Sequence, residues 1–182
     1  LTYSKEIGLH TTIYTSGVVK TKGIYSSIDE FTSRRLSSLV NKVITSIHHS
    51  SSEVHDTITD IKGSLSLTLE SIKSLVKYNT VEAHMVPMKN NFQDIPNVIE
   101  LCLKLGVEKL SFLRLVPQGR CLDNPYLVMD NKDNRLLKDI FSSLVEKKSK
   151  VRIGAPYKCV FLNNAGRCSA GEDKVLISPD GS

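Results

Sequence analysis

Val81-Glu-Ala-His-Met-Val-Pro-Met-Lys-Asn-Asn-Phe-Gln-Asp-Ile-Pro-Asn-Val-Ile-Glu-Leu-Cys-Leu-Lys-Leu-Gly-Val-Glu-Lys-Leu-Ser-Phe-Leu-Arg-Leu115 contains one β/α unit and the strand after it. Val81 to Pro87 is a short, largely apolar run closed by the polar loop Met88-Lys89-Asn90-Asn91. Ile95, Val98, Ile99, Cys102 and Leu103 then recur at helical spacing, and Gly106 suits the end of that helix. Lys109 to Leu115 returns to a strand pattern. Two strands joined by a helix of this length read as a parallel pair with a crossover.

The same alternation extends in both directions. Upstream, Leu9 to Tyr14 reads as a strand ending at Thr15-Ser16-Gly17, and a helix is expected from about Ile28 to Val40. Ser27 with Glu30 three residues on resembles a capping box for that helix. Val43 to Ile47 is the next strand, emptying into the polar loop His48-His49-Ser50-Ser51-Ser52. Ser64 is placed to cap a helix with Leu65, Leu69, Ile72 and Val76 on its apolar face. Downstream, Asp130 is expected to cap a helix with Leu136, Leu137, Ile140, Phe141, Leu144 and Val145 facing inward, and Val151 to Ile153 is a short strand.

Repeats of this kind define an α/β chain with a parallel sheet and helices outside. Periodicity does not separate an open sheet from a partial barrel. In either, the working surface is the carboxyl end of the strands. Beyond about Gly154 the composition shifts to Gly, Pro, Asn and Cys. Residues 1–153 are therefore read as one domain and 154–182 as the start of a second, small module. Its hairpin is written in Val175 to Ile177 followed by Ser178-Pro179-Asp180-Gly181, where Pro presets φ and Gly accepts a positive φ.

Composition narrows the function classes. Lys and Arg total 24 against 19 Asp and Glu, a formal charge of +5 that is spread along the chain apart from the Lys147-Lys148-Ser149-Lys150 knot. There is no Trp, and no stretch interleaves aromatic with basic residues, so nucleic-acid binding is unsupported. No apolar run reaches the length of a membrane span and no leader is written at the start. Four unevenly spaced cysteines fit a reducing compartment, hence a cytoplasmic location, better than a disulfide framework. No Walker loop, Gly-x-Gly-x-x-Gly, His-Glu-x-x-His or Gly-x-Ser-x-Gly occurs.

The strand-end loops carry a resemblance. Ile44-Thr45-Ser46-Ile47, then His55-Asp56 and Gly63-Ser64, then Asn91-Phe-Gln-Asp-Ile95, and then Leu113-Arg114-Leu115-Val116-Pro117-Gln118-Gly119-Arg120 occur in that order. Cys168-Ser-Ala-Gly leads on to Pro179-Asp180-Gly181. In order and spacing these segments resemble the radical S-adenosylmethionine enzymes that carry a C-terminal SPASM or twitch module. The likeness runs from the third strand of a six-unit partial barrel to the first hairpin of the added module. It departs from the family in lacking the Cys-x-x-x-Cys-x-x-Cys loop and the Gly-Gly-Glu stretch. His48-His49 stand where many members have Asp-Gly, and Ser16 stands where Asn is commoner.

The resemblance implies a partial (β/α) barrel of the radical S-adenosylmethionine type with the start of a small C-terminal β-hairpin module. It implies a longer parent that reductively cleaves S-adenosylmethionine at a [4Fe-4S] cluster to a 5′-deoxyadenosyl radical, which abstracts a substrate hydrogen. A peptide or protein is the implied substrate, flavodoxin or ferredoxin the implied electron donor, and an auxiliary iron–sulfur cluster a further cofactor. The chain alone, without the primary ligands, is expected to be inactive. Ser46, Asn91, Arg114 and Val116 are the implied cofactor-binding residues; Cys168, and with it Cys159, the implied metal ligands.

Each has a plainer alternative. Ser46 also satisfies loop backbone in many such turns. Asn91 serves equally as the N-cap of the next helix. Arg114 faces either the strand mouth or the gap between helices, and Val116 either an adenine or the core. Cys159 and Cys168 are ligands or ordinary neighbouring thiols. Cys102 is a core thiol on a helix face and Cys121 has no assigned role. His48 and His49 leave a strand in opposite directions, so at most one is expected to matter. The competing function is a non-catalytic β/α module that binds a nucleotide or a protein.

Overall fold

The computed structural model describes residues 1–144, 150–154 and 157. After the short helix α1 (Thr2–Glu6), strand β1 (Thr12–Thr15) leads into a hairpin of β2 (Val18–Thr21) and β3 (Ile24–Ser27). Helix α2 (Glu30–Ser37), strand β4 (Lys42–Ser46), and helices α3 (Ser52–Thr59) and α4 (Ser64–Leu75) follow. Then come β5 (Val81–Met85), α5 (Ile95–Lys104), β6 (Lys109–Phe112), α6 (Asn131–Ser143) and β7 (Val151–Ile153).

Five of the strands form one sheet in the order β1-β4-β5-β6-β7, and every neighbouring pair is parallel. The main-sheet strands thus follow one another in chain order. A doubly wound open sheet reverses direction at a switch point and places helices on both faces. Here no reversal occurs, so the crossovers run one way and the helices gather on one face, as in a barrel segment. This settles the alternative that periodicity left open.

Side-chain alternation shows which face the helices cover. Thr15, Thr45, Ala83, Leu110 and Val151 share one rung. Ala83, Met85, Leu110, Phe112 and Val151 pack with Leu65 and Ile72 of α4, Ile95, Val98, Ile99 and Cys102 of α5, and Leu137 and Phe141 of α6. A second cluster joins Ile28, Val40, Val43, Leu75 and Val81. The residues between, on the opposite face, belong to neither cluster. They include Tyr14, Lys42, Ile44, Ser46, Glu82, His84, Lys109, Ser111 and Arg152.

Some boundaries differ from the sequence reading, each for a local reason. Asp29 rather than Ser27 caps α2, its carboxylate accepting from Thr32 N at 2.7 Å. An aspartate directly before the first helical residue outcompetes a serine two positions earlier. β2 and β3 were not anticipated; Lys22 (φ 50°) and Gly23 (φ 84°) join them in a two-residue turn of the mirror-image type. The His48 to Ser52 loop ends sooner than its polarity suggests, because α3 begins at Ser52 and puts His55 and Asp56 on a helix. Ser64 is the first residue of α4 rather than its cap. Val145, the proposed boundary at Gly154, and the 175–181 hairpin fall at or beyond the edge of the described residues.

Candidate functional site

Ser46, the last residue of β4, stands at the lip of a cavity of about 250 Å³. Ser16, His48, His55, Ser64 and Thr68 share that lining. The β1–β2 loop reaches the cavity because Gly17 lies against α4. At φ 76°, a Cβ on Gly17 would come within 3.3 Å of Ser71 Cβ. The Ser71 hydroxyl donates to the Gly17 carbonyl and accepts from Ile28 N at 2.7 Å, tying both ends of the hairpin to α4.

Asp56 fixes the α3–α4 corner, whose His55 and Ser64 line the cavity. Its carboxylate accepts from Gly63 N at 2.6 Å, from Ser64 Oγ at 2.9 Å and from Leu65 N at 2.9 Å, closing the start of α4. Partial burial pushes the carboxyl up, but these donors outweigh it and hold the pKa below the usual carboxylate range. Ser64 Oγ also lies 3.2 Å from His55 Nδ1. The His-Asp pair is therefore a brace for the α3–α4 corner.

His48 and His49 diverge, as alternation requires. His48 turns into the cavity, its ring 5.9 Å from that of His55, and its Nδ1 has no hydrogen-bond partner among the described residues. Burial, then the neighbouring His55, pushes its pKa down to about 4, so it is a neutral imidazole at pH 7. His49 turns the other way: its Nδ1 accepts from Ser51 N at 2.9 Å beside Asp94. Asp94 is already held by Ser50 N at 2.6 Å and Asn97 Nδ2 at 2.7 Å.

The other sequence-derived candidates do not converge on Ser46. Asn91 is 2% exposed and its carboxamide is used at both ends. Oδ1 accepts from Met88 N at 2.7 Å and Nδ2 donates to the Val86 carbonyl at 3.1 Å. It closes the β5–α5 loop through its side chain, and it makes no side-chain cap to the helical turn at Phe92–Asp94. Arg114 lies past the end of β6 and lines a separate cavity of about 260 Å³ with Leu115, Pro117, Met129, Asn134 and Tyr157. Val116 is 56% exposed, an uncovered apolar surface rather than core. Cys159 and Cys168 lie outside the described residues.

The inner face of the sheet holds what the sequence reading missed. Lys42 Nζ donates to Glu82 Oε1 at 2.6 Å, and Glu82 is almost wholly buried. The His84 ring meets the Tyr14 ring edge-on at 5.5 Å. Arg152 Nε donates to Ser111 Oγ at 3.0 Å. Burial, then the Arg152 charge, lowers the His84 pKa, with Glu82 opposing. The available signal was alternation within Val81-Glu-Ala-His-Met85: Glu82 and His84 must share a face, and that face is polar.

The donor set fits a polar nucleoside better than a metal. His48 Nδ1 offers an open acceptor or donor, and the Ser46 hydroxyl lies beside it in the same lining. Among the described residues, no group of three or more His, Cys, Asp or Glu is placed to hold a metal ion. Cys102 is buried in the α5 core with its thiol pushed up to about 12, the opposite of a ligand thiolate. The described residues therefore do not fit an iron–sulfur cluster.

No family model matches the sequence, and no curated protein does. Solved structures do match. SuiB of Streptococcus suis bound to S-adenosylmethionine superposes with a TM-score of 0.58 at 13% identity, over 87% of this chain and 34% of that one. Native anSMEcpe with bound AdoMet and the Cp18Cys peptide gives a TM-score of 0.61 at 16% identity, over 88% and 45%. A domain of the pyruvate-formate lyase-activating enzyme from Bacteroides vulgatus gives 0.57 at 14% identity, over 82% and 84%. The likeness is one of architecture: a parallel β/α sheet with the partial-barrel fold of radical S-adenosylmethionine enzymes. The chain spans about a third to a half of the length of SuiB and anSMEcpe.

Proposed function

We propose that this chain is part of a radical S-adenosylmethionine enzyme that modifies a peptide or protein. The observation carrying the reading is the chain-ordered parallel sheet ending in the Ser46 cavity, an architecture shared with structures that hold S-adenosylmethionine. SuiB has been solved with its precursor peptide SuiA, and anSMEcpe with peptides, which supports the substrate class. Bound to a reduced cluster, the cofactor would supply a 5′-deoxyadenosyl radical for hydrogen abstraction.

The chain's own residues have narrower tasks. Ser46 offers a hydroxyl to the ribose or amino-acid part of the cofactor, and His48 a neutral imidazole to its polar edge. Arg114, in its separate cavity, and Val116, on the exposed surface next to it, would join this site only if the loop after β6 closes over the ligand. Asn91 shapes the β5–α5 loop and contributes through backbone alone. Cys168 and Cys159 are proposed ligands of an auxiliary cluster in a module from residue 154 onward, with the primary cluster held by an upstream loop. Flavodoxin or ferredoxin is the proposed electron donor, and the cytoplasm the proposed site of action.

The test compares this chain with a version extended to an upstream Cys-x-x-x-Cys-x-x-Cys loop, both reconstituted anaerobically with iron and sulfide. The extended protein is expected to show thiolate-to-iron absorbance and to release 5′-deoxyadenosine under reduction; the shorter chain releases none. An extended protein that stays colourless, or a parent gene without that loop, would sink the proposal and favour a binding module.

A further inference from the structure

The inner face carries polar groups that the fold does not use. One rung sets Ser46, His84, Ser111 and Arg152 side by side on β4, β5, β6 and β7. His84 is 7% exposed, and among the described residues its Nε2 has no hydrogen-bond partner. Leaving such a nitrogen unpaired is unfavourable, and an apolar residue at this strand position would avoid that cost. Retaining histidine there is explained by a group that arrives with a ligand.

The charge on the rung says what kind of group. The Arg152–Ser111 bond draws the guanidinium back over β6 toward His84. Beyond that bond, Arg152 has no hydrogen bond and no carboxylate within 4.0 Å among the described residues. The nearest inner-face carboxylate, Glu82, is one rung below and already neutralised by Lys42 at 2.6 Å. Strands lie roughly 4.8 Å apart, so the His84 and Arg152 backbones stand about 10 Å apart across β6. The imidazole and the exposed guanidinium flank Ser111 on one face across that span, and the arginine fork matches a carboxylate.

We propose that His84, Ser111 and Arg152 form a substrate subsite that reads a carboxylate, from an acidic side chain or a chain terminus, on the strands beside Ser46. This rests on the reading above that the protein acts on a peptide or protein substrate. It deepens that reading by naming a peptide that presents a carboxylate, on a side chain or at its terminus, as the substrate class. Ser111 is a positioning residue that holds the guanidinium, and His84 and Arg152 touch the ligand.

Histidine-selective NMR of the 182-residue chain tests it. The probes are Nα-acetylglutamate amide for a side-chain carboxylate, Nα-acetylglutamine for a terminal one, and free methionine for the carboxylate of the cofactor. At least one acetylated probe is expected to shift the His84 imidazole signals saturably. Affinity should fall at least tenfold in Arg152→Gln and several-fold in Ser111→Ala, with unchanged amide signals from α5 confirming the fold. No saturable shift with either probe, an equal shift in Arg152→Gln, or tighter binding of methionine would overturn the subsite. A parallel titration with adenosine, read at His48, separates the two claims. Adenosine binding without carboxylate binding removes the subsite and leaves the cofactor reading. Carboxylate binding without adenosine binding does the reverse.

Discussion

Asp56 Oδ1 accepts a hydrogen bond from Leu65 N at 2.9 Å, so a side chain of α3 closes the first turn of α4. With Gly63 N on the other oxygen, one carboxylate fixes the corner that lines the Ser46 cavity. Asp56→Ala is expected to cost about 2 kcal/mol in urea unfolding, the loss of a charged cap plus exposed donors. Because the folded-state pKa of Asp56 is depressed, its stabilisation is present above the unfolded carboxyl pKa. It is lost as pH falls through the folded value. Wild type and variant should therefore converge in strongly acidic buffer. Equal stability at pH 7 would show that water replaces the cap.

Lys42 and Glu82 make a different kind of pair. Glu82 has a side chain only 6% exposed, whereas Lys42 keeps 29% of its own. Lys42→Met strands a carboxylate on the inner face and is expected to destabilise by about 3 kcal/mol. Glu82→Gln leaves a lysine that can swing into water and should cost less. The double variant should recover part of the loss. A cycle showing simple additivity would mean the pair is not coupled.

The fold was legible where apolar spacing is one-sided. Ile95, Val98, Ile99 and Cys102 do face the core as their period requires, and Asp130 does cap α6 with Asp133 completing a capping box. Local chemistry hid the β2–β3 hairpin, since Lys22-Gly23 is a weaker turn signal than Asn-Gly. It also hid α3, whose Val54, Thr57, Ile58 and Thr59 are β-branched and hold a helix only through the corner with α4. Ser46 was named because it ends a strand, and the structure places it on a cavity lining. The inner-face pair His84 and Arg152 was not named, because that face becomes visible only once chain-ordered strands gather α4, α5 and α6 on the other side.

Gly17→Ala is expected to destabilise by about 1–2 kcal/mol for the left-handed backbone alone. The added Cβ, 3.3 Å from Ser71 Cβ, must also push a side chain that binds both Gly17 and Ile28. Ser71→Ala should cost about 1–3 kcal/mol by leaving the Ile28 N–H unpaired in the core. Since both changes break one junction, their sum should exceed the measured double variant. Strict additivity in thermal unfolding would separate the two contacts.

Cysteine alkylation with peptide-level mass spectrometry divides the two described thiols. Cys102 is buried, with its thiol pushed up to about 12, and should react only after unfolding. Cys121 is half-buried beside Asn124 and Tyr126 and should react in the native protein. Native labelling of Cys102 would mean that α5 opens locally.

Three histidines make the fold acid-sensitive above the range where carboxylates titrate. Burial is the leading cause of a lowered pKa at His48, His55 and His84, to about 4 for His48. In the unfolded chain each takes up a proton near pH 6.5. Below that value the unfolded state binds more protons than the folded one, so stability is full above pH 6.5 and falls with pH. For His48 the loss tends toward roughly 1.4 kcal/mol per pH unit and continues to about pH 4, with His55 and His84 adding in the same direction. His48→Gln removes one titrating group while keeping a polar side chain in the cavity, and should flatten the slope between pH 6.5 and 4. It should also raise stability at pH 5 relative to wild type, the reverse of what loss of a structural contact would do. A variant less stable than wild type at both pH 7 and pH 5 would show that the His48 ring contributes through packing, and that its open Nδ1 is not held at a cost.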